Sequence, residues 1–414
     1  MNILIAGGGA SGMTAAIAAA RQGASVTILE KKEMPGKKIL STGNGRCNLT
    51  NMDMKAAYFR GGDPGTVKKV LASFGAEDTL RFFAGLGLLT KTRGTLVYPS
   101  NDQAASVREA LAMELRRLHV DVRTGFAVCA AEQKEGRFHV TAKGPEGDVR
   151  LTGDALILAA GGMAAPALGS DGSGYRLAGS FGHRIIRPLP ALVQLRSVES
   201  FLKKTAGVRT DGTVRLYADG RLAAQDTGEI QFTDYGLSGI PVFQVSRFAS
   251  AALAEGRKVQ AVLDLLPGLQ PEELSALFEA RRQTFAGNTA EEFLHGIFHR
   301  KLAPVLLTQS RIRWKDKVAD IAPGAMQKLA RVCKALKLEI TGVNGFDQAQ
   351  VCAGGVDLTE VVPDTMESAL VRGLYLTGEL LDADGLCGGY NLQWAWATGY
   401  LAGRAAGQRR RRDV

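Results

Sequence analysis

The sequence predicts an α/β fold in which segments from both ends of the chain build one domain around a parallel sheet. Three observations predict it: a βαβ unit with a glycine-rich turn at the start, a small antiparallel meander that returns to a buried strand, and a late segment that runs strand, glycine, acid, helix. At 414 residues the chain is longer than one hydrophobic core usually supports. We therefore expect two or three domains.

The opening βαβ unit is formed by three short segments. Residues 2–6 (NILIA) are apolar enough for a short strand, and residues 13–24 read as a helix of small residues. Residues 25–30 (SVTILE) alternate and are rich in β-branched side chains, which is typical of a strand. Two strands joined by a helix imply a parallel pair.

A G-x-G-x-x-G motif joins the first strand to the first helix. Its glycines are Gly7, Gly9 and Gly12, with Ala10 and Ser11 between the last two. The first glycine permits the turn, the second lets a pyrophosphate approach the backbone, and the third lets the helix pack closely on the strand. Glu30 ends the second strand, where an acidic side chain accepts hydrogen bonds from ribose hydroxyls. The motif in this context predicts a dinucleotide site.

Residues 37–51, KKILSTGNGRCNLTN, form a polar loop directly after this unit. The stretch is too polar for a buried strand and too interrupted by glycine for a regular helix. We expect it to line the cofactor, because its glycines let the backbone approach a ligand and its asparagines and threonines supply donors. Lys37, Lys38 and Arg46 add positive charge there.

Hydrophobic periodicity and turn signals divide the remaining chain into predicted helices, strands and domains. Helical stretches are predicted around 67–86 and 103–118, a strand at 120–125, and a meander that ends in a buried strand at 155–160. After residue 190, short β-type runs with turn signals predict a small barrel or sandwich, and helical spacing then predicts a small bundle. The predicted domains are 1–190 with 353–414 for cofactor binding, 191–266 with 338–352 for the inserted barrel, and 267–337 for the helical insert.

Two features favour FAD over NAD as the cofactor. A nicotinamide dehydrogenase usually needs a separate catalytic domain, whereas FAD enzymes of the glutathione-reductase-like type interrupt their sheet with a meander and end in a strand–glycine–acid–helix segment. Here the meander leads to Ala160 and Gly161, and the late segment contains Gly378 and Glu379. The helix that opens near residue 390 can place its positive end at a reduced flavin ring. An NAD-only dehydrogenase, which would be colourless, stays open as an alternative.

The motifs together resemble one known family. GGGASGMTAA, GKKILSTGNGRCNLTN, LAAGG and GLYLTGELLDADGLCGGYNLQWAWATG are similar to those of the HI0933-like flavoproteins of the YhiN/BaiN type. The resemblance covers essentially the whole chain. It implies a two-dinucleotide-binding-domain FAD fold with an inserted β-barrel and a small helical insert. It also implies an oxidoreductase that transfers hydride through flavin N5 to or from a small organic substrate, in places a C=C bond of an enone or bile-acid-like compound.

The resemblance also assigns residues to the parts of FAD. It places Glu30 and Lys31 at the adenosine end and Val128 beside the adenine. A second group runs along the pyrophosphate toward the flavin: Thr42, Gly43, Asn44, Arg46, Cys47 and Asn48. A third group meets the pyrimidine side of the ring: Gly389, Asn391 and Leu392. Two stretches depart from the family pattern, at 94–99 and 169–174, so substrate identity does not transfer with the fold.

The catalytic residue is not assigned by the sequence. Cys47 has no partner cysteine nearby, so a small packed residue is favoured over a redox thiol. Arg46 is equally compatible with phosphate binding, with an anionic substrate and with a structural ion pair. Asp382 and Asp384 read first as turn residues, and Tyr98 and Tyr390 are candidate proton donors.

Composition limits the partners. The five cysteines form no C-x-x-C pair, so we expect no metal. No apolar run is long enough to span a bilayer, and a cytoplasmic protein is the simplest interpretation. Arg409–Arg412 contribute much of the net charge of +10 and read first as a solvated tail. A flavin-bearing nucleic-acid binder is the alternative function, although we expect no stable nucleic-acid complex. A single G-x-G-x-x-G argues against a stable NAD(P) domain and leaves transient docking of NAD(P)H as electron donor open.

Overall fold

The computed structural model describes residues 1–409. The chain forms two compact units, one made of Met1–Leu189 together with the segment from Gln350 onward, and one made of Pro190–Ala349. The sequence-based division into three domains is finer than these two units. The separation of the barrel from the helical insert stays a prediction.

The N-terminal part of the first unit alternates strands and helices. Its strands are β1 Asn2–Ala6, β2 Ser25–Glu30, β3 Thr50–Asn51, β4 Phe59–Gly61, β5 Thr90–Arg93, β6 Leu96–Pro99, β7 Asp121–Thr124, β8 Ala127–Lys134, β9 Arg137–Gly144, β10 Gly147–Gly153, β11 Ala155–Leu158 and β12 Ile185–Ala191. Its helices are α1 Ala10–Ala20, α2 Pro64–Ser73, α3 Ala76–Ala84, α4 Ala104–Arg117 and α5 Ser173–Ser180.

The second unit contains a closed barrel followed by helices. Its strands are β13 Leu195–Ser197, β14 Arg209–Ala218, β15 Arg221–Phe232, β16 Gly236–Ser238, β17 Val259–Asp264 and β18 Leu336–Val343. Its helices are α6 Leu202–Thr205, α7 Ile240–Ala254, α8 Pro271–Thr284, α9 Ala290–Phe293, α10 Ala303–Gln309 and α11 Pro323–Lys334. The strands close in the order β13-β16-β15-β14-β17-β18, so the barrel of the two predicted alternatives is confirmed.

The chain then returns to the first unit with β19 Val351–Val356, β20 Leu374–Leu376, β21 Ala383–Gly385 and α12 Tyr390–Gln408. The central sheet is parallel, with the order β20-β11-β1-β2-β7. The carboxyl ends of β20, β11 and β1 therefore lie side by side, which is where ligands bind in open α/β sheets. The antiparallel meander β8-β9-β10 lies between β7 and β11 in the chain, as the sequence predicts.

Two local predictions are corrected. The helical stretch predicted around 67–86 is two helices, because Phe74 is extended and Gly75 begins a new helix whose Asp78 carboxylate accepts from the Gly75 N–H at 2.8 Å. The polar loop contains a 3₁₀ turn over Lys37–Gly45, which is interrupted where Thr42 is extended and Gly43 and Asn44 are left-handed. Glycine and asparagine are the residues that adopt left-handed backbone most readily.

The first and last helices of the first unit pack through small residues. Gly399, Gly403 and Gly407 form a stripe four residues apart on α12. A Cβ at Gly399 would lie 2.3 Å from the Ser11 carbonyl oxygen, and a Cβ at Gly403 would lie 2.1 Å from that of Ala15. Only glycine permits this approach, and it fixes the N-terminus of α1 against the late segment of the chain.

Within the described residues, no helix has the length and apolar character that crossing a bilayer requires. In the same range no group of three or more His, Cys, Asp and Glu side chains is placed to hold a metal ion.

Candidate cofactor site

The three motif glycines have different environments at the end of β1. Gly7 has a φ of +105°, and a Cβ there would lie 2.5 Å from the Ala159 carbonyl oxygen. A Cβ at Gly12 would lie 2.0 Å from the Gly7 carbonyl oxygen, whereas a Cβ at Gly9 would meet no atom within 4 Å. The outer glycines thus serve packing, and the middle glycine faces a free space at the start of α1. A pyrophosphate fits this cradle, where backbone N–H groups and the positive helix end point outward.

Glu30 is fixed beside the glycine turn. Its side chain is buried, and its carboxylate accepts from the backbone N–H of Gly8 at 2.7 Å and of Lys32 at 2.8 Å. Each carboxylate oxygen has a further lone pair that a ribose hydroxyl can use. Phe126 N–H donates to the Glu30 carbonyl oxygen at 2.9 Å, which places the half-buried Val128 on the next strand close to this end of the site.

Lys31 forms an ion pair that joins the adenosine end to a second loop. Its Nζ lies 2.7 Å from Asp171 Oδ1, in the loop after β11 that departs from the family pattern. Burial raises the pKa of Asp171, but Lys31 and Ser173 outweigh it and lower that pKa to about 2. The Asp171 carboxylate therefore stays charged at neutral pH.

The loop after β2 presents some residues outward and buries others. Gly43, Asn44 and Arg46 are exposed and Thr42 is half-buried, while Cys47 and Asn48 are buried. With its amide oriented for donation, the Asn48 nitrogen lies 2.9 Å from the Thr50 carbonyl oxygen and 3.2 Å from that of Val97. Asn48 thus anchors the loop to the β3–β6 sheet.

Lys38 connects the three segments that the sequence predicts at the cofactor. Its Nζ donates to Glu379 Oε2 at 2.7 Å and to the Ala164 carbonyl oxygen at 3.1 Å. Ala160 and Gly161 follow β11, and Gly378 and Glu379 follow β20, so both pairs lie at the carboxyl edge of the sheet. Gly161 and Gly378 have φ values of +72° and +68°, which favour glycine at both exits.

The N-terminus of α12 offers backbone donors. Gly389 is the residue before the helix with a φ of +93°, and a Cβ there would lie 2.7 Å from the Thr50 carbonyl oxygen. The first intrahelical bond runs from Gln393 N–H to Gly389, so the N–H groups of residues 390–392 remain for a ligand. The Asn391 amide bonds Gly385 N–H at 2.8 Å and the Gly385 carbonyl at 2.9 Å, and so holds the preceding turn. The half-buried Leu392 lies in this first turn.

The candidate reactive side chains differ in burial and in hydrogen bonding. Burial raises the pKa of Cys47 to about 12, with Thr42 acting against it, so its thiol is protonated. Tyr390 donates to the Asp53 carbonyl oxygen at 3.1 Å, and burial raises its pKa to about 12. Tyr98 lies beside Gly43. Its ring comes within 3.9 Å of the position that a Cβ at Gly43 would occupy. Asp382 and Asp384 are buried.

Sequence reasoning did not identify Cys352 and Tyr175, two buried residues that contact the segments after β11 and β20. Cys352 Sγ accepts from the Met163 N–H at 3.1 Å, and Tyr175 donates to the Glu379 carbonyl oxygen at 3.5 Å. A Cβ at Gly162 would lie 2.9 Å from the Tyr175 hydroxyl and 3.1 Å from Cys352 Sγ. No short motif marks these residues, because they come from segments far apart in the chain.

Comparison with known proteins gives three kinds of match: a family profile, similar sequences and solved structures. A family profile for the HI0933-like protein Rossmann domain matches residues 1–405. The chain is 52% identical over 407 residues to a 3-dehydro-bile acid delta(4,6)-reductase of Clostridium scindens, covering 98% of each protein. It is 29% identical over 402 residues to a ribosomal RNA dihydrouridine synthase of Haemophilus influenzae, covering 96% of each.

Among solved structures, 3-ketosteroid delta1-dehydrogenase from Sterolibacterium denitrificans in complex with 1,4-androstadiene-3,17-dione has a similar fold. Its TM-score is 0.53 at 13% identity, and the match covers 98% of this chain and 99% of that one. These matches confirm the predicted family, fold class, FAD cofactor and oxidoreductase class. The chain is an FAD-dependent oxidoreductase that belongs to the HI0933-like family.

Proposed function

We propose that this enzyme reduces a carbon–carbon double bond conjugated to a carbonyl group, in a steroid-like or bile-acid-like substrate. The observation that carries the proposal is the 52% identity to the bile acid delta(4,6)-reductase over almost the full length of both proteins. Dihydrouridine also arises by adding hydrogen across a ring double bond conjugated to a carbonyl. The more distant relative thus supports the same reaction class.

The residues described above have distinct parts in this proposal. The Gly9 cradle would hold the pyrophosphate, Glu30 the ribose, and the backbone N–H groups at the start of α12 the pyrimidine edge of the flavin. When bound and reduced by an electron donor, FAD would supply a hydride to one carbon of the double bond, and a proton taken up from solvent would complete the saturated product. The α12 N-terminus favours negative charge near it, which lowers the cost of reducing the ring. Lys38 and Glu379 hold the surrounding loops in place.

The test reduces the flavin chemically, so that reduction of the substrate is measured without the natural electron donor. The FAD-loaded enzyme is reduced anaerobically by dithionite and mixed with 3-oxo-Δ4 or 3-oxo-Δ4,6 bile acids, with the saturated 3-oxo compound as control. We expect flavin reoxidation and a product two mass units heavier only with the unsaturated compounds. No reoxidation by either enone contradicts the proposal. NADH and NADPH are compared as reductants in separate reactions, which identifies the donor.

A second and less favoured candidate, binding and reduction of a uracil ring in RNA, is motivated by one observation in the second unit. Trp314 is 52% exposed in the segment RIRWKDK, and Lys315 Nζ lies 4.6 Å from its ring centroid. Arg311, Arg313 and Lys317 are exposed beside it. Exposed aromatic rings among cations are typical of single-strand binding.

RNA binding is tested by titrating salt. Phosphate contacts predict an RNA affinity that falls steeply as salt increases. If the Trp314→Ala variant no longer binds RNA at low salt, that result would support this candidate. An absence of RNA binding at low salt would eliminate it. Of the basic tail, Arg409 donates to the Asp154 carbonyl oxygen at 3.4 Å, and Arg410–Arg412 lie outside the described residues.

A further inference from the structure

One ion pair connects the two loops on either side of the glycine-rich turn. The strand order β11-β1-β2 places the exit of β1, where that turn lies, between the exits of β11 and β2. Lys31 follows β2, and Asp171 lies in the loop after β11. Their ion pair, with 2.7 Å between Nζ and Oδ1, therefore joins the loops that flank the proposed pyrophosphate cradle.

Packing and backbone contacts hold the loop after β11 beside Lys31. A Cβ at Gly169 would lie 3.6 Å from Lys32 Cγ and 3.8 Å from Lys31 Cε, so the loop packs on the stems of both lysines. Gly172 N–H donates to the Gly162 carbonyl oxygen at 3.0 Å, which folds the loop back onto its own start. Gly169 and Gly172 have φ values of +118° and +79°, which favour glycine at both positions.

The two charged groups of the pair differ in solvent access. The Lys31 nitrogen is buried, although 21% of the side chain is exposed, whereas 46% of the Asp171 side chain is exposed. A lysine ammonium has three N–H donors, and one carboxylate oxygen does not use them all. The remaining donors of Lys31 are therefore left for a ligand at the adenosine end of the site.

Asp171 is itself fixed at the start of α5. Its Oδ1 accepts from the backbone N–H of Ser173, the first residue of that helix, at 3.1 Å. A carboxylate that is fixed and ionised at neutral pH can hold the Lys31 ammonium in one place. The stretch 169–174 departs from the pattern of the family, so the resemblance to the family does not imply this pair.

We propose that Asp171 is a positioning residue for the cofactor: through Lys31 it closes the adenosine end of the site and slows the release of FAD. The inference concerns retention of the cofactor and does not depend on the proposed reduction of a double bond. A contact between Lys31 and the ligand without help from Asp171 makes a different prediction. Loss of the carboxylate would then free the ammonium for the ligand and would not speed release.

The test measures how fast FAD leaves and enters the site, without any substrate. Dilution of the FAD-loaded enzyme gives the dissociation rate from the recovery of flavin fluorescence, and mixing apoprotein with FAD gives the association rate. We expect Asp171→Asn to raise the dissociation rate about fivefold, as for the loss of one partly exposed ion pair, and to change the association rate less than twofold. Asparagine can still accept from Ser173 N–H, so the turn is kept.

Further variants separate this role from an indirect one. Lys31→Met should raise the dissociation rate by a similar factor, and the double variant should be no worse than either single variant, because both changes remove the same interaction. Asp171→Glu keeps the charge and should release FAD more slowly than Asp171→Asn. Glu132→Gln, which removes an exposed pair with Lys134 in the same unit, is the matched control.

Three results would overturn the inference about Asp171. Unchanged or slower release in Asp171→Asn would show that the carboxylate does not retain the cofactor. Additive effects in the double variant would show that Lys31 and Asp171 act separately. Faster release accompanied by an equal loss of apoprotein stability in urea would indicate a structural effect instead. Since no substrate is present, none of these results bears on the proposed reduction.

Discussion

Two adjacent lysines in the loop after β2 have very different environments. Lys37 pairs with the exposed Glu33 four residues earlier, an arrangement that contributes little to stability. Lys38 bonds Glu379, which is 341 residues away, and both side chains are mostly buried, at 24% and 20% exposed. Lys38 therefore decides how the cofactor loop is held against the exit of β20.

We expect Lys38→Met to weaken FAD binding. Without the ammonium group the loop is less ordered, and part of the binding free energy is spent on ordering it, which predicts a Kd about tenfold higher. Quenching of flavin fluorescence measures this Kd. Lys134→Met, which removes an exposed pair with Glu132, is the control. An unchanged Kd would show that the ion pair does not support the site.

The five cysteines differ in solvent access. Cys47 is buried with a pKa raised to about 12, while Cys129 is exposed. At pH 8 only about one Cys47 in ten thousand would be a thiolate. We expect iodoacetamide to modify Cys129 in the native apoprotein and to leave Cys47 unmodified, as measured by peptide mass spectrometry. Rapid labelling of Cys47 would instead indicate a reactive thiol.

At the scale of elements, the glycine stripe on α12 determines how closely α1 approaches it. Helix interiors usually disfavour glycine by about 1 kcal/mol relative to alanine. Here the preference reverses, because the Cβ of alanine at residue 403 would occupy the space of the Ala15 carbonyl oxygen. Close contact between backbones replaces side-chain packing along this interface.

Gly403→Ala should lower the free energy of unfolding by about 1 to 3 kcal/mol, the usual cost of overpacking. Gly179→Ala is the matched control, because this helical glycine in α5 has no atom within 4 Å of its Cβ position. The control should be neutral or slightly stabilising. Urea unfolding of both variants measures the difference, and equal stabilities would mean that α12 can shift to accommodate the methyl group.

At the scale of the whole molecule, the second unit has the features of an independent domain. It is one continuous stretch of chain with its own buried cluster, which includes Leu263 of the barrel and Leu306 and Leu329 of the helices. Its first and last strands, β13 and β18, pair with each other, with Leu195 opposite Val343. The barrel is thus closed without any residue from outside the unit.

We therefore expect a fragment of residues 190–349 to fold alone. It should show a single cooperative urea transition and the far-ultraviolet circular dichroism of a mixed α/β protein. A second fragment, in which a short glycine–serine linker replaces residues 267–334 so that β17 connects directly to β18, tests whether the barrel needs its helices. Non-cooperative unfolding of the longer fragment would contradict independence.

The sequence was most informative where chemistry requires a particular residue type at a short spacing. The roles of Gly7 and Gly12 and the placement of Glu30 follow from one local motif, and a barrel was predictable from alternating runs. The link between Lys38 and Glu379 was not, because Lys37 has the same chemistry and nothing local separates them. The break at Gly75 was missed because the apolar spacing continues across both helices.

The partnership of α1 with α12 has a consequence for biosynthesis. Helix α1 is synthesised before the inserted unit, but its glycine-lined partner and the edge strand β20 are synthesised after it. The small apolar face of α1 therefore stays uncovered while the inserted unit, complete by residue 349, can already fold. A nascent chain that stalls before α12 would carry a finished insert within an open host domain. Such a chain would be a natural client for chaperones.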